Sequence, residues 1–145
     1  MNRKFGDLCD GILRAGRQRF GAMMGIVSHI HCGDYDVIAV SSETGIPEAG
    51  DSFALEGVYC REVFQKKRTV AITEVDGVPG MSLHPLYSGI PCEFYISAPI
   101  IVSGDVWGTL NFTSLEKREI PFSEDDILFI EAQALRLSNE LAKSA

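Results

Sequence analysis

The sequence predicts an α+β domain: a mostly antiparallel central sheet of five to six strands with a helix at each end of the chain. Three observations carry this. FYISAPIIVSGDVWGTLNFTS, residues 94–114, is two apolar runs about the Gly-centred turn Ser103-Gly104-Asp105, the chemistry of a hairpin. The segment after it, PFSEDDILFIEAQALRLSNEL, repeats apolar residues at spacings of three and four, the period of a helix. No repeat, low-complexity tract or linker interrupts the 145 residues, so one domain over 1–145 is expected.

The elements follow in order. Residues 1–20 contain a helix over 3–20, with Phe5, Leu8, Ile12 and Ala15 on one face. Gly6, Gly11 and Gly16 weaken it or let a partner helix come close. MMGIVSHIHC and YDVIAVSS read as strands joined through Gly33-Asp34, and GIPEAGDSF reads as loop. LEGVYCREVFQKK reads as a short helix whose basic tail suits its C-terminal dipole, and RTVAITEV is β-branched and strand-like. DGVPGMSLHPLYSGIPCE has no period; three prolines and three glycines rule out a long helix, and loops of this length inside a domain are often functional.

Pro121 ends the strand pattern, and Ser123 with Asp126 three residues on opens the last helix, over 123–143, in the manner of a capping box. Its residues Ile127, Ile130, Ala134, Leu137 and Leu141 form one seam, and Leu128, Leu135 and Ala142 form a second stripe beside it. One stripe covers the sheet. The other is available to the N-terminal helix or to a second subunit, and a homodimer is the expectation because the first helix also has an apolar face.

Composition excludes several classes. A net charge of −7 argues against nucleic acid as partner, since affinity for it comes from clustered Lys and Arg. The charge is uneven: residues 1–20 carry five basic and two acidic groups, net +3, and the other 125 residues carry −10. No apolar run reaches the ~18–20 residues of a membrane span, and the basic N-terminus lacks the apolar core of a signal peptide, so no membrane insertion and a cytoplasmic location are expected. Cys9, Cys32, Cys60 and Cys92 show no paired spacing and read as reduced thiols.

Several segments, in order, resemble a GAF domain of the bacterial sensory type. Phe53-Ala-Leu-Glu-Gly-Val-Tyr59-Cys60 resembles the segment entering the helix beneath the GAF pocket, and His84-Pro85-Leu86-Tyr87 resembles a pocket-loop element of one bacterial subgroup. Tyr95-Ile96-Ser97-Ala98-Pro99-Ile100, Gly104, Trp107-Gly108-Thr109-Leu110-Asn111-Phe112 and Phe122-Ser123-Glu124-Asp125-Asp126 follow. The resemblance implies N- and C-terminal helices packed on one face of the sheet, a pocket loop over 76–93 on the other, and a sensor that binds a small molecule between sheet and loop. It also implies dimerisation through terminal helices and an effector such as a histidine kinase or a cyclic-dinucleotide enzyme. Tyr59, His84 and Tyr87 are the leading ligand-binding candidates, with Cys60, Thr109 and Asn111 behind them. Tyr and His offer an apolar body with a polar tip, which suits orienting a ligand; core or loop packing is the competing role for each.

The known GAF chemistries fit unevenly. The cyclic-nucleotide signature is broken, with Asn111 followed by Phe112 and Phe122 leading to Asp125-Asp126 without a Glu. Covalent bilin needs Cys beside His in the pocket; here His31-Cys32 is reversed and too early, and His84 precedes a proline with Cys92 eight residues away. His84 could ligate haem iron, though a role in tying the loop is the stronger reading, and the cofactor is left open. His29 and His31 share a strand face but imply no third metal ligand. No catalytic residue and no metal are expected. The enzyme alternative is a free methionine sulfoxide reductase, for which Cys60 and Cys92 flank the pocket but lack that family's close spacing. A dimerising interaction module without ligand is the other alternative.

Overall fold

Two tight turns organise the sheet. Cys32 and Gly33 (φ 50° and 78°), and Ser103 and Gly104 (φ 54° and 84°), all take left-handed backbone, as a two-residue hairpin turn of the primed type requires. The first turn thus centres on Cys32-Gly33, one residue earlier than the sequence reading, and Asp34 already pairs with His31. The computed structural model describes residues 3–43, 48–54, 68–72, 94–114 and 120–143. They form α1 (Arg3–Phe20), β1 (Met24–His31), β2 (Asp34–Ser42), β3 (Ser52–Ala54), β4 (Val70–Ile72), β5 (Phe94–Val102), β6 (Asp105–Ser114) and α2 (Glu124–Lys143). The helix expected over 55–67 and the pocket loop over 76–93 lie outside the described residues.

The strands make one sheet in the order β3-β2-β1-β6-β5-β4, with every neighbouring pair antiparallel. β3 was hidden in sequence because its three residues follow a Gly- and Pro-containing loop; they pair with Asp34–Asp36 at the sheet edge. Two register shifts bend the sheet. Val27 pairs with Ala39 but Ser28 with Val37, leaving Ile38 as an extra residue. Ile100 pairs with Gly108 but Ile101 with Val106, leaving Trp107 as another. A bulge re-aims a side chain, and here it sets Trp107 beside the helix-facing residues, where it packs against the core.

Both helices pack on one face. Val27, Ala39, Ile96, Ala98, Ile100, Leu110 and Phe112 meet Phe5, Cys9, Ile12, Leu13 and Phe20 of α1 and Ile130, Ala134 and Leu137 of α2 in a single core. The helices run antiparallel: Lys4 Nζ lies 3.6 Å from Glu140 Oε1 at one end, and Arg19 Nε 3.3 Å from Asp126 Oδ1 at the other. Exposed pairs of this kind contribute little and report direction more than strength. In α1 the buried stripe is Phe5, Cys9, Ile12, Leu13, Gly16 and Phe20, so Ala15 is exposed rather than on the apolar face. Gly16 admits the sheet, not a helix: a Cβ there would stand 2.0 Å from Phe112 Cζ.

In α2 the expected seam is the sheet-facing one, and Leu128 and Leu135 are 56% and 60% exposed. The N-terminal helix therefore does not cover the second stripe. The capping box is formed in full: Ser123 N donates to Asp126 Oδ2 at 2.9 Å and Asp126 N to Ser123 Oγ at 3.1 Å. Ser123→Ala is expected to cost about 1 kcal/mol. The measurement is a urea melt, where the midpoint should fall at constant slope; an unmoved midpoint would deny the cap any part in stability.

Candidate functional site

The sheet face opposite the helices carries a polar band that the core face lacks. Registration across β5, β6, β1 and β2 places Ser97, Asn111, Thr109, Thr113, Ser28 and Tyr35 there, among Met24, Ile26, Ile30, Val37 and Tyr95. All are buried. Hydroxyls and an amide in mid-sheet cost free energy unless hydrogen-bonded, and these are. Ser28 Oγ and Thr109 Oγ1 lie 2.7 Å apart, and Thr109 N donates to Ser28 Oγ at 3.1 Å. Asn111 Nδ2 donates to Tyr35 Oη at 3.1 Å, which draws the tyrosine across β1 from the neighbouring strand. No buried side-chain nitrogen or oxygen among the described residues is left without a partner.

Of the six sequence-derived candidates, Thr109 and Asn111 therefore lie two residues apart on this face, both almost fully buried. Tyr59, Cys60, His84 and Tyr87 lie outside the described residues, as does Cys92. Ser28, Tyr35 and Ser97 belong to the same band and were missed. Their only signal was alternation on β1, β2 and β5, and the polar members of a strand normally mark its solvent side.

A second cluster gathers on the helix side of the sheet. The His29 ring stacks on Trp107 at 4.3 Å and 10°, and on His31 at 4.8 Å. Trp107 in turn meets Phe5 edge-on, with centroids 6.0 Å apart. His31 Nε2 donates to Asp36 Oδ2, and Ser52 Oγ donates to Asp36 Oδ1 at 2.7 Å. These two bonds, that from Ser52 foremost, hold the Asp36 carboxyl below its usual range. Burial, and then His31, lower the His29 imidazole, with Asp36 acting in opposition. The half-buried His29 and exposed His31 form a stack, and among the described residues no cluster of three His, Cys, Asp or Glu side chains could hold a metal.

Elsewhere, burial pushes the Cys9 thiol up to about 12, so at neutral pH it is a core side chain without thiolate reactivity. An open cleft of about 460 Å³ lies at the end of α1 against Glu43, lined also by Arg14, Arg17 and Gln18. Arg17 is committed there to Ala22 O, Ser41 Oγ and Glu43. The cleft is separate from the polar band.

With this geometry in view, comparison with known proteins places the chain. A family model for the GAF domain matches residues 5–141. The chain belongs to the GAF family. Among solved structures, the GAF domain is similar to the blue-light-absorbing form of the Thermosynechococcus elongatus PixJ GAF domain. That match has TM-score 0.77 and 18% identity over 98% of this chain and 87% of the other. It is similar to the GAF domain of an Acinetobacter phosphoenolpyruvate-protein phosphotransferase, with TM-score 0.72 and 15% identity over 99% and 96% of the two chains. It is also similar to free methionine-R-sulfoxide reductase from Neisseria meningitidis in complex with its substrate, with TM-score 0.71 and 17% identity over 96% and 81%. At these identities the likeness is one of fold. No curated protein sequence matches. No helix among the described residues is long and apolar enough to cross a membrane.

Proposed function

We propose that this GAF domain is a small-molecule sensor whose ligand rests on the polar band, in a pocket between the sheet and the 76–93 loop. The observation that supports this reading is the buried cluster of Ser28, Tyr35, Ser97, Thr109 and Asn111 on the face away from the helices. Pockets are mostly apolar with a few placed polar groups, and this band has that make-up. Tyr59, Cys60, His84 and Tyr87 would complete the walls, with Thr109 and Asn111 as the floor. The domain acts in the cytoplasm, joined to or partnered with an effector such as a histidine kinase or a cyclic-dinucleotide enzyme. A ligand that favours one closure of the pocket biases the helices on the other face.

Native mass spectrometry of the domain purified from cells tests the ligand. Thr109→Val conserves shape, and with one neutral hydrogen bond lost, occupancy should fall about 3- to 10-fold. Unchanged occupancy in Thr109→Val removes the band from the site, and an empty protein that binds nothing in a metabolite screen favours the interaction module. Turnover of free methionine sulfoxide, abolished by Cys60→Ser, would instead make the domain a reductase like its Neisseria neighbour.

The homodimer has a structural support of its own. Leu128, Ala132, Leu135, Asn139 and Ala142 are all exposed on α2 and recur at spacings of four and three, a coiled-coil seam opposite the sheet-facing one. In a parallel pair Glu131 faces the partner's Arg136 five positions on, and Asn139 meets its own copy, a combination that selects orientation and register. An antiparallel pair loses that complementarity.

A further inference from the structure

His29 lies on the helix side of the sheet, one ring removed from the start of α1. One side of its ring lies on Trp107 and the other on His31. Trp107 continues the stack to Phe5, in the first turns of α1, and the neighbouring Lys4 reaches Glu140 near the end of α2. Among the described residues, Asp36 is the carboxylate that acts on both imidazoles, and His31 is hydrogen-bonded to it.

We propose that the His31–His29–Trp107 stack is a proton-operated latch between the sheet and the paired helix ends, closed while His29 is neutral and released when it is protonated. A proton on His29 places a charge on a half-buried ring while Asp36, the carboxylate that acts on it, is already engaged by His31. The ring regains water by leaving the stack, and Trp107 then loses the surface that holds it against Phe5. The indole face attracts a cation weakly at such a site. Burial and His31 nevertheless lower the His29 pKa despite Asp36, so the charged form is the disfavoured one in the folded chain.

The sign follows from that direction. The unfolded chain binds this proton more readily than the folded one. The latch is therefore at full strength above the ordinary imidazole range and weakens as pH falls from there through the lower folded value. Among the described residues, the strands and turn next to His29 carry His31 on β1, Asp34 and Asp36 on β2, and Asp105 before Trp107. The helix ends add Lys4 and Asp7 on α1 and Glu140 and Lys143 on α2. Of these, His31 and Asp36 act on His29 directly. The latch adds a second input to the helices that the proposed function treats as output. Its test uses no ligand, so its failure leaves the ligand reading standing.

Trp107 is the one tryptophan of the chain, so its emission reports on the stack. Lowering the pH from 8 to 5 should change that emission in one step and speed amide exchange at both helix ends about tenfold, after correction for intrinsic rates. His29→Phe keeps a flat ring without the proton and should abolish both changes. An identical titration in His29→Phe overturns the latch, as does an emission change with unaltered exchange at the helix ends. Should the variant not fold, NMR of the wild type decides. The His29 ring nitrogens and the Trp107 indole must move with one midpoint for the latch to hold, and separate midpoints refute it.

Discussion

Phe112→Ala is expected to lower the stability of the domain by about 3–5 kcal/mol, the range for truncating a fully buried aromatic ring. Phe112 is fully buried, packs on Phe20 with centroids 5.3 Å apart, and fills the space above two glycines of different elements. A Cβ on Gly16 would stand 2.0 Å from its ring, and one on Gly25 2.7 Å. The ring is the common contact of α1, β1 and β6, so its loss leaves a cavity that no single neighbour can collapse into.

Gly16→Ala sharpens the test because two effects oppose. In a free helix the change stabilises by about 1 kcal/mol. Here the new methyl meets a ring wedged by Phe20, and overpacking of this kind costs about 1–3 kcal/mol, so a net loss is expected. In a Phe112→Leu background the loss should shrink or reverse, a coupling visible in a double-mutant cycle of urea melts. Stabilisation by Gly16→Ala alone would show that the ring yields freely and that the close approach has no energetic weight.

The paired change Leu128→Asp and Leu135→Asp is expected to leave the fold intact and abolish association. Both side chains are exposed in the single chain, 56% and 60%, and contribute little to its core. In a symmetric pair four leucines are covered, and at about 1.5 kcal/mol each their loss weakens the dimer by at least about a thousandfold. Sedimentation equilibrium of both proteins reads the result. A wild-type monomer at high concentration, or a dimer untouched by the two aspartates, would leave α2 without an intersubunit role. Asn139→Leu should strengthen association while admitting other orientations, since a buried polar residue in such a seam gives up affinity for register.

Much of this frame was legible in the residues. The bounds of α1, the Ser103-Gly104 hairpin, the Ser123–Asp126 box and the two stripes of α2 rest on local chemistry that the sequence carries within a few positions. What stayed hidden was set by distant contacts. Ala15 fits the helical period as well as Gly16 does, and only Phe112, 96 residues away, decides that the glycine faces the core. Trp107 could not be sided because the bulge at Ile100/Ile101 breaks the alternation that would have sided it. The polar band was half legible: Thr109 and Asn111 were named as candidates, while Ser28, Tyr35 and Ser97 carry no local signal that says which face of the sheet they take. Their burial depends on strand order, with β1 lying between β2 and β6.

The 3.6 Å approach of Lys4 to Glu140 also makes the domain portable. Because α1 starts where α2 finishes, the whole unit can be spliced into an exposed turn of another protein without prying that turn apart. Equally, its ends can be bridged by a short linker and the chain reopened at the Cys32-Gly33 turn. A host carrying it this way would feel any tilt of the two helices as a change in the spacing of its own strands or helices at the splice.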